Sequence, residues 1–145
     1  MRKQILFHAF IILTVAFVLG LVTGAVQGSG DVVMAKSWLV SHVTGIMVSL
    51  IMAVVGLLWS DLQLGRRASR VLYWMTVHAN YVVMGILGVL VPALGAAPAL
   101  AVPQAVPPVG GVKALMIAGI VIATVSSFVM SILVLVGLRG RHVDV

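Results

Sequence analysis

Residues 38–59 read WLVSHVTGIMVSLIMAVVGLLW, a run without one Lys, Arg, Asp or Glu. As a helix, these 22 residues match the roughly 30 Å of hydrocarbon in a bilayer. The run therefore reads as a membrane span. Three more follow the same logic, at 5–26, 71–91 and 114–138. The whole chain of 145 residues has a mean hydropathy of +1.24 and only 8% charged residues. A soluble fold of this size cannot hide so much apolar surface, because small folds have too little interior. The expected fold is an all-α integral membrane protein, one domain over 1–145, built as a four-helix transmembrane bundle. The first span is too long for a signal-peptide apolar region and has no clear A-x-A cleavage site, so it is read as a retained helix.

The charges set the expected orientation. Arg2 and Lys3 precede span one, Arg66, Arg67 and Arg70 lie between spans two and three, and Arg139 and Arg141 follow span four. The opposite side carries only Lys36 and Lys113. Positive residues stay on the cytoplasmic side, so both termini are expected there, in a bacterial inner membrane. Topology accounts for the net charge of +6, which makes nucleic acid a poor partner and the lipid bilayer the expected one. The stretch 27–37 reads as a short connection. Residues 92–111 hold all five prolines and are not expected to form a continuous helix; being mostly apolar, they are expected on the membrane surface or folded over the bundle.

The chain has no cysteine, which removes disulfides, iron–sulfur ligation and thiolate catalysis. No Asp or Glu falls inside a span; Asp31, Asp61 and Asp144 lie in loops or the tail. A proton-coupled transporter would want a carboxylate within the membrane. The polar intramembrane residues are instead His8, His42, His78, Asn80, Tyr81 and several Ser and Thr.

In span two, Trp38, His42, Gly45, Ser49, Met52, Gly56 and Trp59 follow steps of four and three, so they share one helix face. Two readings stay open. The stripe is a packing seam whose glycines let a neighbouring helix approach, with His42 bonded to a carbonyl. Or His42 is a metal or haem ligand, and Gly45 one turn on leaves room for a flat macrocycle. In span three, Trp74, His78, Tyr81, Gly85 and Gly88 form one stripe, while Thr76, Asn80 and Met84 share another face. A buried Asn is also common as interhelical glue. Gly20 and Gly24 form a small-xxx-small pair in span one, a generic mark of helix packing. His42 and His78 sit at different expected depths, so a single-histidine haem with an open position is favoured over a pair.

These residues resemble the small four-helix membrane isomerases that include hydroxylaminobenzene mutase and styrene oxide isomerase. The resemblance runs over nearly the whole chain. It is carried by His8 with Gly20 twelve residues on, GLVTG at 20–24, Trp38-x-x-x-His42-x-x-Gly45, GLLWSDLQL at 56–64, Ala79-Asn80 and GLRG at 137–140. The mutase side looks closer. The resemblance implies a homotrimer binding haem b, with ferric iron as a Lewis acid and His42 as its axial ligand. Trp38, Gly45 and Ser49 would line the cofactor. Asn80 would lie near the substrate, with Tyr81 or His78 able to hydrogen-bond the migrating oxygen. The implied reaction converts a small aromatic substrate, an arylhydroxylamine, to an aminophenol. A related haem epoxide isomerase, a non-catalytic haem protein and a purely structural membrane protein are the alternatives. Three positions depart from the family pattern: Val48 stands where an Asn is common, Met84 where the epoxide isomerase has Tyr, and Thr76 where it has Asp. His78 stands where relatives carry an aromatic residue.

Overall fold

The computed structural model describes residues 1–94 and 110–140. Its elements are α1 (Arg2–Gly28), α2 (Val32–Leu58), α3 (Arg66–Val82), a π-helical segment (Val83–Leu90), α4 (Val91–Ala93) and α5 (Gly110–Leu138). There is no strand among the described residues. Four helices are long and apolar enough to cross a membrane, with α3 and the π segment forming one span over Arg66–Leu90. The protein is therefore a multi-pass integral membrane protein, as its composition implies. Most of the Pro-rich stretch lies outside the described residues, and so does its expected surface position.

The helices begin earlier than hydropathy alone indicates. The connection between spans one and two is residues 29–31 rather than 27–37. Asp31 makes this possible. Its Oδ1 accepts the Met34 N–H at 2.9 Å, satisfying one of the donors that every helix start leaves open. Gly30, at φ 83°, turns the chain just before it, a conformation that a side chain would strain. Lys36 is thereby drawn into the first turns of α2, where hydropathy had placed it in a loop.

Helices α1 and α2 are packed along their length. The buried residues of α1 are Ile5, Ala9, Ile12, Ala16, Leu19 and Thr23, again in steps of three and four. They meet the span-two stripe, of which Gly45, Ser49, Met52 and Gly56 are buried. A Cβ added to Gly45 would lie 2.7 Å from Ala16 Cβ and 2.9 Å from Met84 Sδ. One added to Gly56 would lie 2.9 Å from Leu6 Cδ2. The packing-seam reading of these glycines is thus correct. The segment after α2 crosses to α5: Gln63 N–H donates to the Gly137 carbonyl at 3.0 Å, and Leu62 and Leu64 cover Gly137.

The third span changes its winding partway. At Val83 the backbone N–H is shared between the Ala79 and Asn80 carbonyls, and a π ladder runs on to Leu90. Pro92 is buried just beyond it. A proline ring collides with the carbonyl one turn back and removes an N–H, so regular α-winding into this position is disfavoured. The wider ladder takes up the mismatch.

Candidate functional site

Two histidines provide the polar side-chain links between different helices among the described residues. Most other side-chain hydroxyls bond to their own helix backbone, as Ser41, Ser49, Thr76 and Ser131 do.

The first link is His42. Its Nδ1 lies 2.7 Å from the Ala16 carbonyl oxygen, across the α1–α2 seam. A carbonyl can only accept, so Nδ1 carries the proton and donates it. The lone pair is then on Nε2. The ring lies against Gly20: a Cβ there would be 2.9 Å from Cε1 and 3.0 Å from Nδ1 of His42. Gly24, its partner in the small-xxx-small pair, has nothing among the described residues within 4 Å of such a Cβ. The pattern that signals helix packing thus marks, at Gly20, a cradle for an imidazole. The side chain is only part-buried, and Nε2 also lies near Gly20, 3.4 Å from such a Cβ.

A carbonyl-bonded His42 is what the packing-seam reading expects; the same ring, whose Nε2 has no hydrogen bond among the described residues, is also able to hold a haem iron. An imidazole held through Nδ1–H to a carbonyl has its tautomer and plane set, and presents Nε2 as the donor. No cluster of three or more His, Cys, Asp or Glu suited to a metal ion occurs among the described residues. A single-histidine haem ligand needs none. Leucine at Gly20 would force the His42 ring off its carbonyl, since no space remains. Gly20→Leu is therefore expected to lower the affinity for added haem at least tenfold while the helical circular dichroism stays unchanged. A haem titration followed at the Soret band checks this.

The remaining expected site residues fall on different faces. Trp38 packs partly buried against the core. Ser49 is buried, and its Oγ–H donates to the Ile46 carbonyl at 2.7 Å. It borders an apolar groove of about 230 Å³ between α1 and α2, lined also by Ala9, Phe10, Leu13, Leu50 and Ala53. Asn80 is buried and donates Nδ2–H to the Thr76 carbonyl one turn back, at 2.6 Å. Thr76 and Met84 are buried on the same face, as their spacing required. Met84 reaches Gly45, three residues from His42. His78 and Tyr81 are exposed on the opposite face. His78 stacks on Trp74, with centroids 5.1 Å apart and an angle of 21°. Asn80 therefore shares the His42 side of the bundle, while His78 and Tyr81 do not.

The second link is His8, which sequence reading noted without giving it a role. Its Nδ1 is 3.0 Å from Tyr81 Oη and its Nε2 is 3.5 Å from Tyr73 Oη. Nothing in the spacing of His8 within α1 reveals this. It needs α3 laid beside α1.

The fold and this seam define a multi-pass membrane protein with one histidine pinned between its first two helices. The chain belongs to the styrene oxide isomerase family, whose model matches residues 1–139. The family name makes it an isomerase and sits closer to the epoxide isomerase reading than to the mutase one. No curated protein and no solved structure matches the chain.

Proposed function

We propose that this chain is a haem-dependent isomerase of the bilayer, rearranging a small aryl epoxide of the styrene oxide kind to its carbonyl isomer. The family match supports the reaction class. The observation that carries the cofactor is His42, with Nδ1–H given to the Ala16 carbonyl and Nε2 left as a ligand. Ferric haem b, when bound there, supplies a Lewis acid that polarises the bond to be broken.

The chain's own residues do the rest. Ala16 and Gly20 hold the imidazole in one tautomer and one orientation. Opening the epoxide breaks one C–O bond, and a hydrogen moves with its electron pair to the neighbouring carbon. Atoms balance without an oxidant or reductant. A cationic carbon formed on the way would be trapped by water, and the apolar packing of Gly45, Met52 and Met84 keeps water out. Asn80 is the buried amide on this side of the third span, and we assign it to hydrogen-bond the substrate oxygen. The substrate arrives from the lipid, where small aromatics dissolve. The homotrimer and the cytoplasmic termini belong to the same proposal.

One observation favours an arylhydroxylamine instead. Met84 and Thr76 occupy the positions where the epoxide isomerase carries Tyr and Asp, and the Thr76 hydroxyl is engaged with the Leu72 carbonyl at 2.8 Å. This face presents no acid. Offering styrene oxide and hydroxylaminobenzene side by side to the haem-loaded chain separates the two. An aldehyde from the first supports the epoxide reading, and an aminophenol from the second supports the mutase reading. Turnover of neither removes both.

A further inference from the structure

Arg66, Arg67 and Arg70 crowd the first turns of α3. All three are exposed, and with Val71 they line a hollow of about 620 Å³. Residues three and four apart share a helix face, so Arg67, Arg70, Val71 and Trp74 run down one side of the third span. Val71 and Trp74 are exposed there too, Trp74 at 47%. The face is cationic where the span begins and apolar within the next two turns. His42 lies about 24 Å along α2 from its end at Leu58, which leads into α3. The hollow is thus a separate place from the His42 seam.

Counting charges gives it a chemistry. The carboxylates among the described residues are Asp31 and Asp61. Asp31 caps α2 at the far end of the bundle. That leaves Asp61 to set against Arg66, Arg67, Arg70 and, at the same end, Arg2, Lys3 and Arg139. One carboxylate cannot neutralise so many cations, and like charges this close repel until an anion sits among them. The backbone adds to the pull. A helix start leaves its first N–H groups without a carbonyl and carries the positive end of the dipole. Gly65 offers α3 no side-chain cap, and the first turn holds no acidic residue. Topology asks only for cations on this side of the membrane. It does not ask that they be arginines gathered around one hollow. A guanidinium presents its donors as a fork that matches two oxygens of a phosphate.

We propose that this hollow holds the headgroup phosphate of an anionic phospholipid, with an acyl chain laid along Val71 and Trp74. The arginine forks and the open N–H groups of the first turn take the phosphate oxygens. One turn further on, Val71 and Trp74 offer the chain an apolar path, and an indole near a span's end suits the headgroup region. A free phosphate would use only the cationic half of this face. A zwitterionic lipid fits worse, because its headgroup amine would stand among the arginines. The bound lipid steadies the start of the third span, which carries Asn80. The proposal is independent of haem and of the reaction at His42.

The test uses the full chain in nanodiscs of equal parts phosphatidylglycerol and phosphatidylcholine, with the lipids that stay on the protein counted by native mass spectrometry. Phosphatidylglycerol should be retained over phosphatidylcholine by about fivefold or more, as charge-assisted phosphate binding implies. The double variant Arg67→Gln with Arg70→Gln should lose that preference. Arg67→Lys with Arg70→Lys keeps the charge, and so the topology, yet should lose about half of it or more, because an ammonium binds as a point charge. Arg2→Gln with Lys3→Gln removes two charges from the same end but none from the hollow, and should leave the preference unchanged. No preference in the parent chain overturns the site, and so does full retention with lysine. An equal loss in the Arg2 and Lys3 variant overturns it too, since the attraction would then be diffuse. Millimolar inorganic phosphate, set against chloride of equal ionic strength, should displace no phosphatidylglycerol. Displacement would put free phosphate in the hollow and overturn the lipid assignment.

Discussion

Replacing His42 with alanine is expected to abolish the Soret band of the haem-reconstituted protein and, with it, all isomerase turnover. The reason is the geometry of a single ligand. Among the described residues, His42 is the imidazole with one nitrogen bound to another helix's carbonyl and the other left as a lone pair. Nothing beside it is arranged to take over. Fold loss is not expected to explain the result, because the alanine removes one hydrogen bond, worth about 1 kcal/mol. The Ala16 carbonyl keeps its place in the α1 backbone ladder. Thermal unfolding followed by circular dichroism should therefore shift little. A Soret band that persists in His42→Ala, or one that never forms in the parent chain after haem is added, sinks the cofactor assignment. Exogenous imidazole offers a finer check. It should restore the band to the alanine variant, since the cradle at Gly20 stays open.

The largest effect on the fold is expected from Gly45→Leu. A single Cβ at this position would already stand 2.7 Å from the Ala16 methyl and 2.9 Å from Met84 Sδ. Met84 is flexible and can move. Ala16 is anchored in the α1 backbone and cannot, so the two helices must separate. Overpacking of this kind costs typically 1–3 kcal/mol, and the isobutyl group places the change at the upper end. The separation also pulls the Ala16 carbonyl away from His42. Gly45→Leu should thus lower both thermal stability and haem affinity, whereas Gly24→Leu, with open space around it, should change neither. A melting curve and a haem titration on the two variants decide the matter. Equal behaviour would mean that α1 and α2 do not pack as described.

These expectations draw on two kinds of knowledge. The span-two stripe from Trp38 to Trp59 was legible because a helix repeats every 3.6 residues, and hydrocarbon length bounds a span whatever its neighbours. The same periodicity separated Thr76, Asn80 and Met84 from Trp74, His78 and Tyr81, and the structure keeps those two faces apart. Spacing left close approach at Gly45 as one of two open readings. It could not name the partner, because a small residue looks the same whether it faces a helix, a ring or lipid. Gly20 and Gly24 are the plainest case: both are glycines of one motif, yet one holds His42 while a Cβ at the other would meet nothing within 4 Å among the described residues.

What the sequence determined by itself is therefore the set of properties that each helix owns alone: its length, its apolar character, and which residues share a face. The family resemblance, carried by short motifs strung along the chain, was legible for the same reason. What only the tertiary structure decided is which faces meet. The Ala16 carbonyl is 26 residues from His42, and Tyr81 is 73 residues from His8. No local period links residues so far apart in sequence. The π-helical stretch before Pro92 likewise depends on how the third span must end against its neighbours, since a proline alone permits a kink, a break or a change of winding. The tautomer of His42 follows from those pairings, because a hydrogen bond needs both of its partners in place before either one's chemistry is set.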